Sequence, residues 1–551
     1  MSDGPLQLPT STGAAIAPGE LLDSWKEIAN YLNRDIRTLQ RWERSKDLPI
    51  HRLPGGDKPA VYALKSELDA WLRSRTIHGL EEEVRLPPVA RDAPSIAVLP
   101  FANLSGDKEN EYFSDGLADE ILTELTRVPG LRVIARTSSF ALRGKDQDVR
   151  EIGANLNVGA LLEGSVRKSG DRIRVAAQLV STADGGHLWS ERYDRQLTDV
   201  FAIQDQVSAA IVEAMRPRLV GGAPPVRRRT GNLVAYNLYL KAQYFGNRGT
   251  EEALAESRKC FEEAIALDPD YALAYLGLAE QYWDCAFWGL VAPREAARVS
   301  MPLVLRALEL DDSLATAHAT LGVFRGAFEY DWAAAEREFH RALELGPASP
   351  AVHSRYAWFF LEPIGKLEEA LAELEWVLEV DPLSPLAHTA LAQMLMFRRR
   401  FPQAEQQFRQ ALELDPNFWM AHWCLGAVHA FMGMLDQAVA ECERAWQPIG
   451  RSSVVGGALG AVYAMVGRTS DARRLLDGMM EPAQGAYISP LGIAWLHFGL
   501  GDIDAVFEWL NKAIDEREPQ MLHLPAKHLY DPLRADPRFG ALLERMNLPP
   551  R

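Results

Sequence analysis

Arg34, Arg37, Arg41 and Arg44, with Thr38 and Gln40 between them, share a short stretch with Ile36, Leu39 and Trp42, which recur at helical spacing. An arginine fork pairs with guanine edges or with phosphate, so a helix presenting these side chains is equipped to recognise DNA. Arg52 and Lys58, on either side of the Gly55-Gly56-Asp57 turn, complete the set of residues expected to bind DNA. Residues 20–75 hold 11 basic and 9 acidic side chains, so the pattern and not the net charge carries this reading. The chemistry is recognition, not reaction.

Signatures of catalysis are missing from the sequence. It has no Gly-x-x-x-x-Gly-Lys-Ser/Thr phosphate loop, no His-Glu-x-x-His and no Gly-x-Ser-x-Gly elbow. Gly456-Gly457-Ala458-Leu459-Gly460 lacks dinucleotide-binding spacing and reads as small residues for close helix packing. Asp115, Asp119 and Glu120 could suggest a metal, but they are expected in the first turn of a helix, where acidic groups offset the macrodipole. His318, His340, His353, His422 and His429 show no ligand spacing, and Trp358, Trp419 and Trp423 read as core or groove lining. The expectation is a protein with no catalytic, cofactor or metal site, and not an enzyme.

The elements that must position the arginines come next. Ser24-Trp25-Lys26-Glu27 forms a capping box before a short amphipathic helix with Trp25, Ile28, Ala29 and Leu32 on one face. A second helix over about 35–44 carries the basic residues. His51-Arg52-Leu53 and Ala60-Val61-Tyr62 flank the glycine turn as a β-hairpin wing, and residues 66–73 close the unit as a helix. Through Arg37-Thr38-Leu39-Gln40-Arg41-Trp42-Glu43 and Leu48-Pro49, this winged helix-turn-helix resembles the MerR and excisionase DNA-binding domains, and that resemblance implies binding to double-stranded DNA. MerR-type regulators follow the winged domain with a helix that pairs two subunits. Here an acidic stretch with Glu81-Glu82-Glu83 follows instead, so dimerisation comes from another unit or the affinity for DNA is low.

In the middle of the chain, Ser95 to Phe101 reads as a buried strand, 114–127 as a helix and 131–136 as a strand. Residues 160–166, 172–179 and 187–193 are strand-like runs joined by turns at Lys168-Ser169-Gly170-Asp171 and Asp184-Gly185-Gly186, and a helix over 200–218 ends the unit. IAVLPFANLSGD, DGLADEILTEL, LEGSVRKSGDRIRVAAQL and HLWSERYDR make this α/β unit look like the TolB N-terminal type, which implies an assembly or sensing module.

Further on a phrase recurs: AIALDP, ALELDD, ALELGP, VLEVDP and ALELDP, the last three intervals being 35, 35 and 34 residues. With Leu391, Ala392, Leu395, Ala404, Phe408, Ala411 and Pro416 at signature offsets, the region resembles the tetratricopeptide repeat, in about eight copies with degenerate ends. That resemblance implies a concave groove that takes a protein or peptide.

The formal charge of −16 divides into about −1 for residues 1–231 and −15 for residues 232–551, so the repeats are acidic and poorly suited to nucleic acid. Cys260, Cys285, Cys424 and Cys442 are too scattered for a metal or disulfide framework and read as free, half-buried thiols. Nothing approaches the roughly 20 apolar residues of a membrane span, and the first residues lack a signal-peptide pattern, so the expected location is cytoplasmic without membrane contact.

The expected architecture is multidomain: a disordered tail (1–19), a winged helix-turn-helix (20–75), an acidic linker (76–93), an α/β middle domain (94–219), a linker (220–231) and an all-α tetratricopeptide superhelical solenoid with a C-terminal cap (232–551). The function expected is a non-enzymatic bacterial regulator that binds DNA at one end and protein at the other. Two alternatives stand beside it: an assembly scaffold that does not bind DNA, and a signalling protein related to cyclase-linked repeat proteins but lacking the cyclase domain. Operator, signal, partner and oligomeric state are not legible.

Overall fold

The computed structural model of the chain describes residues 21–22, 24–32, 48–52, 61–65, 67–68, 94–105, 111–126, 128, 130–143, 147–196, 200–215, 230–246, 251–448, 452–481 and 487–548. These fall into two compact units, 1–90 and 91–551.

In the first unit, strands β1 (Leu21–Leu22), β2 (His51–Arg52) and β3 (Val61–Leu64) form a three-stranded antiparallel sheet with β3 central. Helix α1 (Trp25–Leu32) begins where the Glu27 N–H donates to Ser24 Oγ at 3.3 Å, as the capping pattern predicts. Its buried Ile28 meets Leu22, Leu48, Ala63 and Leu68 in a small core. The hairpin expected around the glycine turn is present as the pairing of His51 with Tyr62 and Arg52 with Val61. Strand β1, which pairs Leu22 with Ala63, was not anticipated. The second helix expected over 35–44 lies outside the described residues.

The second unit opens with a six-stranded mixed sheet: β4 (Ser95–Val98), β5 (Ala102–Asn103), β6 (Arg132–Val133), β7 (Ala160–Ser169), β8 (Arg172–Ser181) and β9 (His187–Gln196). The order is β6-β4-β7-β8-β9 with β5 beside β7; β4 runs parallel to β6 and β7, and β7, β8 and β9 are antiparallel. Both turns expected between the long strands occur where Gly170 and Gly185 adopt positive φ. Helices α2 (Glu111–Leu125) and α5 (Val200–Met215) cover one face, where Ile121, Leu125, Ile173, Val175, Val207 and Ile211 are buried.

Two further helices, α3 (Arg136–Phe140) and α4 (Val149–Leu156), were not expected. The strand expected over 131–136 stops early because the Ala135 N–H leaves the sheet and donates to the Val380 carbonyl of the repeat array at 2.8 Å. Helix α4 is capped by Asp148, and its Gly153 packs so closely on Thr182 that a Cβ there would sit 2.3 Å from that side chain. A glycine inside a helix thus marks a close approach, not a break.

Among the described residues the repeats form eight helix pairs: α6 (Leu233–Gly246) and α7 (Glu251–Leu267); α8 (Ala272–Phe287) and α9 (Pro293–Leu310); α10 (Ala315–Phe324) and α11 (Trp332–Leu345); α12 (Pro350–Tyr356) and α13 (Leu367–Val380); α14 (Pro385–Phe397) and α15 (Phe401–Leu414); α16 (Trp419–Phe431) and α17 (Leu435–Trp446); α18 (Ser453–Met465) and α19 (Thr469–Met480); α20 (Pro490–Leu500) and α21 (Ile503–Asp515). Two 3-10 turns (Pro519–His523 and His528–Leu533) and α22 (Pro537–Arg545) follow. Small residues set the spacing, as expected: a Cβ on Gly457 of α18 would lie 2.0 Å from the Gly492 carbonyl oxygen of α20. The four cysteines are free and buried, and burial pushes the Cys424 and Cys442 thiols up to about 12.

Candidate functional site

Of the residues predicted to contact DNA, Arg34, Arg37, Thr38, Gln40, Arg41, Arg44 and Lys58 lie outside the described residues. Arg52 is placed by its backbone, opposite Val61 in the hairpin. Beside it, the His51 ring stacks on Tyr62 with centroids 5.0 Å apart and reaches the Glu67 carboxylate.

The acidic group of the middle region is structural. Helix α2 starts at Glu111, so Asp115 and Asp119 fall beyond the first turn and the macrodipole account does not apply to them. Arg143 ion-pairs with both Asp115 and Glu111, and Arg136 lies 3.5 Å from Asp119. Burial pushes the Asp115 carboxyl up against the pull of Arg143. Among the described residues no cluster of three or more histidine, cysteine or acidic side chains could hold a metal.

Asp381, at the end of α13, joins the sheet region to the repeats. Its carboxylate accepts from the Ser138 N–H at 3.0 Å and the Ser138 hydroxyl at 2.6 Å, and Ser138 Oγ accepts from the Leu383 N–H at 2.8 Å. A second contact is the Gln204 amide donating to the Tyr236 hydroxyl at 2.6 Å, where α5 meets α6.

The interior of the array is filled by the chain itself. Trp288, which caps the first helix of the second pair, packs on Trp419 and Trp423 of the sixth, with centroids 4.5 and 5.9 Å away. Into this interior runs the segment 517–533. His523 sits among Phe287, Trp358, Phe359 and Phe397 and pairs with Glu362 at 2.6 Å, both side chains being 1% exposed or less. Such a pair is tolerated away from water only because each partner answers the other. The Tyr530 hydroxyl accepts from Trp495 Nε1 at 2.6 Å, and Lys527 lies 4.3 Å over the Trp495 ring. Burial raises the Glu518 carboxyl to about 7, against the hydrogen bond from Tyr487. The groove expected to hold a partner is therefore occupied between the second and eighth pairs, and Trp358 and Trp423 are core. A cleft of about 880 Å³ between α15, α16 and α17 is bordered by Arg409, Glu413, Asn417, Glu441 and Arg444.

The histidines form a series that the sequence reading overlooked. His318, His353, His388 and His422 recur with the 35-, 35- and 34-residue spacing of the repeats. In each, Nε2 meets the carbonyl at the preceding turn (Asp312, Pro347, Pro382 or Pro416) at 3.0–3.1 Å. Nδ1 meets Glu338, Glu373, Gln407 or Glu441 on the following helix. Each ring thus ties a turn to the second helix of its own pair. His388 was the member not singled out, although the shared spacing alone would have found it.

Residues 91–210 match the profile of the HilA/YgeH-like transcriptional regulator, second domain, and residues 364–417 and 389–450 match a tetratricopeptide repeat profile. Over 195 residues the chain is 44% identical to putative adenylate cyclase 3 of Rhizobium meliloti, covering 35% of this chain and 33% of that protein. Over 340 residues it is 23% identical to the transcriptional regulator HilA of Salmonella typhimurium, covering 58% of this chain and 59% of that one. The chain thus spans between a third and three-fifths of the length of these relatives. Among solved structures, YrrB, a TPR protein with an unusual peptide-binding site, overlays with a TM-score of 0.24 at 20% identity, covering 34% of this chain and 92% of that one. TolB from Acinetobacter baumannii overlays with a TM-score of 0.18 at 20% identity, covering 23% and 29%. Overlays at these scores carry no weight. The C-terminal region carries tetratricopeptide repeats, and the sheet region before it is similar to a domain of HilA-like transcriptional regulators.

Proposed function

We propose that this protein is a non-enzymatic regulator that binds double-stranded DNA through its N-terminal unit and another polypeptide through its repeats. The observation that carries the reading is the presence, on one chain, of a stretch similar to the second domain of HilA/YgeH-like regulators and of tetratricopeptide repeats. We assign base and phosphate contacts to Arg34, Arg37, Thr38, Gln40, Arg41 and Arg44, with Arg52 and Lys58 on the hairpin wing. The polypeptide partner meets an outer face of the acidic array, because the inner side is filled, and a segment with basic residues would complement its charge.

Fluorescence-anisotropy titration of the full chain against a pool of random DNA fragments at low and moderate salt tests the DNA half. Binding should weaken with salt, and Arg37→Ala together with Arg41→Ala should lower affinity by roughly 30-fold or more, since two arginine contacts of about 1–3 kcal/mol each are lost. No salt-sensitive binding by the full chain would overturn it and leave an assembly scaffold. The identity to a putative adenylate cyclase favours a second reading, a signalling protein built on the same region. Cyclic nucleotide formed from ATP by the purified chain would overturn both readings, since the signalling protein of the second reading lacks the cyclase domain.

A further inference from the structure

Strand β9 ends the sheet, and among the described residues no strand pairs with its outer side. It is ten residues long, a free template for another strand. Edge strands are commonly protected by charge, and β9 carries Glu191, Arg192, Asp194 and Arg195, three of them exposed and Asp194 half-buried. Their order does more than repel. Read outward from Tyr193, Arg192 is mirrored by Asp194 and Glu191 by Arg195, so the segment is a charge palindrome.

We propose that two copies of this chain pair antiparallel along β9, Tyr193 opposite Tyr193, and join their sheets into one. Residues directly opposite in an antiparallel pair share a face of the sheet. Arg192 then meets Asp194 of the second copy on one face, Glu191 meets Arg195 on the other, and two-fold symmetry repeats each contact. Shifting the centre by one residue sets Arg192 against Arg192 or Asp194 against Asp194, so charge selects the register. Within one chain Asp194 already accepts from Arg172 at 2.8 Å and from Arg174 at 2.6 Å, which holds it in place at the edge. Arg192 makes no ion pair among the described residues and is available to the second copy. The pairing stands without the DNA reading, and it would supply the second subunit that a half-site reader requires.

Sedimentation analysis of the full chain up to about 100 µM tests the proposal, a range suited to a small interface. The wild type should dimerise reversibly. Glu191→Arg alone sets Arg against Arg195, and Arg195→Glu alone sets Glu against Glu191, so each should weaken the dimer about ten-fold or more. Mixing the two variants in equal amounts pairs opposite charges again and should restore dimers. Circular dichroism shows whether these exposed substitutions leave the fold intact, and the Glu191→Arg/Arg195→Glu double variant, which should dimerise by itself, provides a second check. A monomeric wild type, a dimer that neither single variant weakens, or a mixture that stays monomeric would overturn the proposal.

Discussion

His422 has an oxygen acceptor at each ring nitrogen, the Pro416 carbonyl on one side and the Glu441 carboxylate on the other. A ring that donates from both nitrogens is the imidazolium, and the Glu441 hydrogen bond raises its pKa even though burial works against the charge. At His318 burial is the largest influence and opposes the charge, yet Glu338 and the Asp312 carbonyl still leave the pKa raised. A histidine whose folded pKa is raised contributes stability that is fully present below its ordinary value and lost as pH rises through the raised one. The urea midpoint of the full chain should therefore fall between about pH 6 and about pH 8.5, and fall less in His422→Gln, which keeps a donor but cannot take up the proton. An identical fall in both proteins would show that His422 does not contribute. The spacing of this series was in the sequence, but its use was not. Histidines at a fixed repeat offset could equally have pointed to solvent, and only the packing of the paired helices brings the glutamates within reach.

At the scale of the element, one aspartate in the repeated phrase has two fates. Asp311 and Asp415 each accept from the N–H two residues on, at 3.0 Å, and so bind their own turn. Asp381 holds the same place in VLEVDP but reaches Ser138 of α3, which lies in another layer of the unit. It sits at the negative end of α13, where an aspartate is unfavourable unless donors answer it, and Ser138 supplies two. Asp381→Ala should destabilise the protein by roughly 2–4 kcal/mol, because it removes buried hydrogen bonds to a charged group and leaves the Ser138 N–H without its acceptor. Chemical denaturation of Asp381→Ala, Ser138→Ala and the double variant should give single costs that exceed additivity, whereas strictly additive costs would deny the coupling. Nothing in the phrase distinguishes Asp381 from its equivalents. The short helix α3 was likewise illegible, since it has few residues to show a period and part of its fixing comes from a partner more than 240 positions away.

For the molecule as a whole, the repeats wind tightly enough for Trp288 to touch Trp419, and the chain fills the space inside with its own last residues. Met521, Leu522, Leu524 and Tyr530 are each no more than 1% exposed, and full burial of such a side chain is worth roughly 1.5–3 kcal/mol. A chain ending at Glu516 should melt at least about 5 °C lower and bind an apolar dye, because Phe287, Trp358 and Phe359 would then line an open interior. A truncated chain with unchanged melting and no dye binding would show that the segment is not part of the core. The sequence by itself determined the repeat period, the helix pairs and the two glycine turns of the long strands, because each rests on contacts between neighbours along the chain. Only the tertiary structure decided that the inner side is closed, that Asp381 serves the sheet region and that, among the described residues, β9 pairs on one side alone. The pitch of a repeat array is the sum of small rotations that no single repeat encodes, and contacts between the second and eighth pairs exist only once that sum is complete.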